Sequence, residues 1–171
     1  MKVTIENINK YGFVFHKYDS SLIKDSLEET SPILSNYINN LISVKGETLY
    51  FDIDTVVKDQ EIKPHYHVIL GSFQTVVWFP KSPFKGRDYL FGTESLLNKV
   101  TPEEGYMCFM KPNDPHFIHG VTQLLSSEPI QTLGYSSLVK PFDDTRRYDT
   151  FVENCVISED TYTLSQLLDH K

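Results

Sequence analysis

The chain contains no alanine, only two cysteines and a single tryptophan, and it lacks the short signatures of several common enzyme chemistries. The missing alanine points to a biased genome rather than to a fold, and nothing functional rests on it. Cys108 and Cys155 lie far apart, so neither a disulfide framework nor a Cys-x-x-Cys site can be built from them. There is no Gly-x-Ser-x-Gly, no phosphate-cradling Gly-Lys-Ser/Thr loop and no dinucleotide fingerprint, which argues against hydrolase, kinase and nicotinamide chemistry of those types. No apolar run approaches the roughly 18 residues of a membrane-spanning helix. Positive charge is scarce as well. Sixteen Lys and Arg face 23 Asp and Glu, and Arg146-Arg147 is the only arginine pair, so a concentrated phosphate-binding surface is not expected. The N-terminus alternates like a strand and has no signal-peptide apolar stretch, which makes a cytoplasmic, reduced protein the expectation.

What is present is enough for a core. With 171 residues, 40% of them hydrophobic and 13% aromatic, the chain reads as a single domain over 1–171. Residues 1–18 carry two alternating runs, Val3–Ile8 and Gly12–His16, which read as strands or a hairpin. Between 20 and 43 the period changes. Ser20 or Ser21 can cap a helix carrying Leu22, Ile23 and Leu27. After Ser31-Pro32, Ile33, Leu34, Tyr37, Ile38, Leu41 and Ile42 follow at helical spacing. Beyond Gly46 the chain becomes β-rich, with candidate strands at 48–54, 61–70, 73–79, 87–92, 105–111, 116–122 and 130–139. Its end reads as a short helix that Thr163 can cap. Strands at this spacing after a helical preface predict a closed or nearly closed antiparallel sandwich. The helix at 33–43 is the natural cover for one outer face.

Two segments carry the chemistry. Pro64-His65-Tyr66-His67 and Pro115-His116-Phe117-Ile118-His119-Gly120 hold four of the six histidines, each in a run that reads as a buried strand. Residues two apart on a strand share a face, so His65 and His67 project together. A histidine pair on one strand and a third from a distant strand make a three-point metal site with open positions, suited to non-haem Fe(II) among other ions. The bland reading is of buried histidines satisfied by neighbours. His116 and His119 cannot both face inward on a regular strand, because an odd separation alternates faces. The expected metal ligands are His65, His67 and His119, with His116 as the alternative third.

The order Pro-His-x-His, apolar strand, Gly86-Arg87 through Gly92, Gly105 through Pro112 and His119-Gly120-Val121 resembles the double-stranded β-helix of cupins and Fe(II)/2-oxoglutarate oxygenases. The resemblance covers roughly 48–139. It implies a mainly β, cupin-like jelly roll with a helical N-terminal preface and a short C-terminal helix. It further implies Fe(II), with 2-oxoglutarate as a possible co-substrate, and an oxygenase acting on a small molecule; three neutral imidazoles would leave the metal more positive than a carboxylate-containing triad and so favour an anionic one. By position His65 matches the first ligand of the oxygenases and His119 the last. His67 stands where their carboxylate would be, and Ile130-Gln131-Thr132 where an arginine for 2-oxoglutarate would be. His-x-His is instead like the cupins, on whose pattern His116 is the last ligand; their usual following glutamate is replaced by Gly71-Ser72. A cupin-like isomerase, epimerase or ligand-binding module therefore stays open beside the oxygenase.

Weaker candidates complete the reading. Arg87 can hold a carboxylate co-substrate in bidentate fashion or pair with Asp88 or Glu94. Tyr66 and Trp78 can line a binding cavity, as can core aromatics generally. The expected partner is a small molecule, neither nucleic acid nor membrane, with a homodimer left open.

Overall fold

The computed structural model describes residues 2–42, 49–68, 73–79, 84–103, 105–111, 115–137 and 148–169. Where the sequence suggests an opening strand, the chain forms helix α1 (Ile5–Tyr11). Val3 and Ile5 alternate as a strand would, Ile5 and Ile8 stand three apart as on a helix, and the caps decide. Thr4 Oγ1 accepts the Asn7 N–H at 3.1 Å, and Gly12, at φ 78°, returns its N–H to the Ile8 carbonyl at 2.9 Å. Strand β1 (Phe13–Lys17) follows, and then a short 3-10 turn, Ser20–Leu22, stands where a first helix is expected. Its cap is Asp19, not a serine.

Helix α2 (Leu27–Ile42) begins earlier than the proline suggests and runs through Pro32. Its start is set by Ser26, whose hydroxyl accepts the Glu29 N–H at 3.2 Å, and by Thr30, which donates to the Ser26 carbonyl at 2.8 Å. Pro32 is exposed, so its ring meets solvent rather than the sheet. Leu34, Ile38 and Ile42 form the buried stripe.

The remaining strands are β2 (Leu49–Val56), β3 (Ile62–Val68), β4 (Phe73–Phe79), β5 (Tyr89–Thr93), β6 (Leu96–Thr101), β7 (Tyr106–Met110), β8 (Ile118–Val121), β9 (Ile130–Ser137), β10 (Tyr148–Phe151) and β11 (Ile157–Thr163), before helix α3 (Leu164–Asp169). They make two sheets, ordered β1-β7-β4-β9-β2 and β10-β3-β8-β5-β6-β11. The pairings β2 with β9, β3 with β8, β4 with β7 and β5 with β6 are nested and antiparallel. A long hairpin rolled onto itself in this way is a jelly roll. Strand β6 occupies a stretch the sequence suggests as loop, because Leu96-Leu97-Asn98-Lys99-Val100 does not alternate. Strands β1, β10 and β11 widen the two sheets at their edges.

Strand β7 shows how the layers pack. Tyr106, Cys108 and Met110 face the space between the sheets with Phe91 and Val121, while Met107 and Phe109 face α1 and α2 with Val14, Leu34 and Ile38. Both faces are covered, so all five residues are buried. Phe13 and Phe15 of β1 bridge to Phe91 of the other sheet, with ring centroids 4.7 and 5.4 Å apart. A buried aromatic ring of this kind contributes about 1.5–3 kcal/mol by burial alone. On the outer face, His16 Nε2 lies 2.7 Å from the Tyr37 hydroxyl, tying β1 to α2. Burial holds the His16 pKa below its ordinary value. Both cysteines are free thiols, Cys108 in the core and Cys155 in the turn before β11. Thr163 caps α3, its Oγ1 accepting from the Gln166 N–H at 3.2 Å.

Candidate metal centre

Strands β3 and β8 lie side by side in the second sheet and put His65 opposite His119 in register. The two imidazoles are buried, 1% and 7% exposed, with ring centroids 4.4 Å apart. The row continues on both sides: His119 pairs with Phe91 of β5, and His65 with Phe151 of β10. Phe91 packs against Phe13 between the sheets, so this face of the row is the interior of the roll.

The backbone explains both sequence motifs. The β3–β8 register shifts between Ile62 and His65, where Lys63-Pro64 form an irregularity. Proline is tolerated there because a bulge needs no ladder donor from it. The irregular stretch presses on Gly120: a Cβ at that position would lie 2.8 Å from the Ile62 carbonyl oxygen and 3.2 Å from the Pro64 nitrogen. The glycine after His119 thus makes room for the backbone of β3. The same stretch aims the Lys63 carbonyl at His65, with Nδ1 2.8 Å from the oxygen. A carbonyl only accepts, so Nδ1 carries the proton and Nε2 the lone pair. A backbone carbonyl on the far nitrogen is the arrangement that orients metal-binding imidazoles.

The other candidates are distributed as follows. His116 is exposed in the turn before β8, three residues from His119. His67 lies on β3 two residues beyond His65, opposite Asp149 of β10; its side chain is not among those described. Tyr66 is half-buried and, by alternation, on the opposite face of β3 from His65. Trp78 belongs to β4 of the other sheet, opposite Thr132, with its side chain outside the described set. Arg87 precedes β5 at φ 59°, 4% exposed, and donates from one guanidinium nitrogen to the Gln60 carbonyl at 3.3 Å. Its N–H bonds the Gln123 carbonyl, four residues along the chain from His119 and about 13 Å at strand rise. Among the described residues no group of three or more His, Cys, Asp or Glu gathers to hold a metal. His65 and His119 are the pair the described side chains bring together.

No family model matches the chain, and no curated protein matches it in sequence. Solved structures do. One is an oxidoreductase of the 2OG-Fe(II) oxygenase family from Burkholderia pseudomallei, at 12% identity over 78% of this chain and 87% of that one, TM-score 0.54. Another is a prolyl-4-hydroxylase from Pseudomonas putida, at 10% identity over 80% of this chain and 93% of that one, TM-score 0.59. The chain shares the fold of these two structures, a jelly roll. The expected mainly β jelly roll with helical preface is therefore present, and α2 covers the outer face of the sheet that contains β1 and β7. Among the described residues, no helix is long and apolar enough to cross a membrane.

Two features of the centre escape sequence reading. Strand β10 is four residues long and follows a polar stretch, so its alternation of Tyr148 and Thr150 with Asp149 and Phe151 carries almost no periodic signal. The Lys63 carbonyl is a backbone group, and only the bulge gives it a role.

Proposed function

We propose that this protein is a non-haem Fe(II) oxygenase, a hydroxylase or dioxygenase, acting on a small anionic molecule. The observation that carries the reading is the His65–His119 pair: two buried imidazoles, in register on adjacent strands of an oxygenase-like roll, one of them oriented by a backbone carbonyl. The donor set suits a borderline divalent ion, since neutral imidazole is a ligand for iron as for zinc. His65 and His119 would hold it through their imidazoles, with His67 as the third ligand. When bound, Fe(II) supplies the binding and reduction of O₂ that no side chain can perform.

The protein's own groups do the rest. Lys63 fixes the His65 tautomer. Phe91, Phe13 and Phe15 exclude water from the inner side of the centre. Phe151, 58% exposed and with its ring 5.7 Å from that of His65, offers substrate an apolar wall at the open side. Three neutral ligands leave the cation's charge uncompensated, which favours an anionic, chelating substrate. Arg87 is the buried cation assigned to a co-substrate carboxylate, 2-oxoglutarate in the first instance.

The test is anaerobic reconstitution with Fe(II), followed by O₂ uptake with and without 2-oxoglutarate and a panel of small acids. Uptake stimulated by 2-oxoglutarate and lost in Arg87→Ala supports the full reading. Uptake that ignores 2-oxoglutarate supports a cupin-type dioxygenase. Gln131, where the oxygenases resembled here would carry an arginine, favours that second reading. Absence of Fe(II) binding leaves a cupin-like isomerase or ligand-binding module.

A further inference from the structure

A His-x-His motif lacks the negative charge that a carboxylate ligand would bring, and the sheet supplies one from elsewhere. Strand β10 pairs antiparallel with β3 in the register Tyr148 to Val68, Asp149 to His67, Thr150 to Tyr66 and Phe151 to His65. Asp149 and Phe151 are two apart, so they belong to the same face as His67 and His65. Strands β10, β3, β8 and β5 read YDTF, IKPHYHV, IHGV and YLFGT, and Asp149 is their one acidic residue.

We propose that Asp149, placed opposite His67 by the β10–β3 register, is the positioning carboxylate of the metal centre. The inference rests on the metal reading above and deepens it. Strand order decides between ligand and positioning residue. The second sheet runs β10-β3-β8, so an ion shared by His65 and His119 would lie toward β8, while Asp149 belongs to the strand on the far side of β3. Directly opposed residues have Cβ atoms about 4.5–5.5 Å apart, the span of one carboxylate–imidazole hydrogen bond. In that role the Asp149 carboxylate would take the Nδ1 proton of His67, as the Lys63 carbonyl takes that of His65, and leave Nε2 for the ion. The two ligands on β3 are then oriented by two different devices, one from the strand's own bulge and one from a neighbouring strand.

The experiment is anaerobic titration of Co(II) into the full chain, for wild type and for His65→Ala, Asp149→Ala, Asp149→Asn and Thr150→Ala. It is joined by long-range ¹⁵N–¹H NMR correlations of the Zn(II)-loaded protein, which assign the His67 tautomer. The expected result is one Co(II) bound by wild type and lost in His65→Ala. Affinity falls about 10–100-fold in Asp149→Ala. It is partly restored in Asp149→Asn, whose amide oxygen still accepts, and unchanged in Thr150→Ala, on the same strand but the other face. His67 carries its proton on Nδ1 in wild type and loses that preference in Asp149→Ala. Wild-type affinity and tautomer in Asp149→Ala overturn the inference while leaving the metal reading intact. Equal losses in Asp149→Ala and Thr150→Ala overturn it too, because they assign the effect to β10 as a strand. A wild-type protein that binds no Co(II) overturns both.

Discussion

His65 is held by a hydrogen bond that costs the protein a regular ladder, and that choice has measurable consequences. Replacing His65 or His119 by alanine is expected to lower divalent-metal affinity at least tenfold, read by Co(II) titration with His116→Ala as the comparison. Gly120 gives a second prediction. A methyl group there meets the Ile62 carbonyl oxygen at 2.8 Å, a backbone atom that can yield only by moving the bulge. Gly120→Ala is expected to destabilise by about 1–3 kcal/mol, as overpacking does, and to weaken metal binding by turning Lys63 away from His65. Urea unfolding and metal titration on the same variant check both halves. Unchanged stability would mean that the strand relaxes at no cost.

At the scale of elements, the β1–α2 contact makes a pH prediction. His16 is part-buried against Tyr37, and burial depresses its pKa from the ordinary 6.5. Between the depressed folded value and 6.5 the unfolded chain binds the extra proton, so stability rises with pH across that window and is lost as pH falls through it. Urea midpoints from pH 7 downward should therefore fall more steeply in wild type than in His16→Gln; parallel curves would remove the contact from the account. Legibility also divides by element. The strands from β2 to β5 and from β7 to β9 are written in apolar runs bounded by turn residues. Strand β6 is not, since Asn98 and Lys99, both part-buried and one on each face, interrupt its pattern. The first helix reads as a strand because what decides it is two capping hydrogen bonds, at Thr4 Oγ1 and the Gly12 N–H, which the apolar pattern does not record. At the site, His65 and His119 are visible as motifs. The tautomer of His65 depends on a bulge, and the register that sets Asp149 opposite His67 depends on a strand pairing; no local pattern encodes either.

For the molecule as a whole, an ion held by β3 and β8 would bind the folded chain alone, so metal binding would be linked to folding. At free Co(II) a hundredfold above Kd the gain is about 2.7 kcal/mol. For a chain of this size that raises Tm by roughly 5–11 °C, taking about 2–4 °C per kcal/mol. Thermal melts with Co(II) and with EDTA should separate by that amount in wild type and coincide in His65→Ala. A separation retained in the variant would place the ion elsewhere.

The nested pairing of β2 with β9, β3 with β8, β4 with β7 and β5 with β6 has a kinetic side. The hairpin of β5 and β6 closes over a two-residue turn, Glu94-Ser95, and each ladder outside it must enclose everything already formed. Non-local closure of this order places such topologies in the millisecond-to-second range of folding times. The β3–β8 ladder lies outside two others, so the histidine pair assembles late, after the innermost hairpin has zipped. In a stopped-flow refolding experiment with Co(II) present, the coordination band should appear in the slow phase and not in the dead time. A chain built in this way would capture an ion only once the walls that surround the histidine pair are in place, and a copy that opens at β8 would let it go.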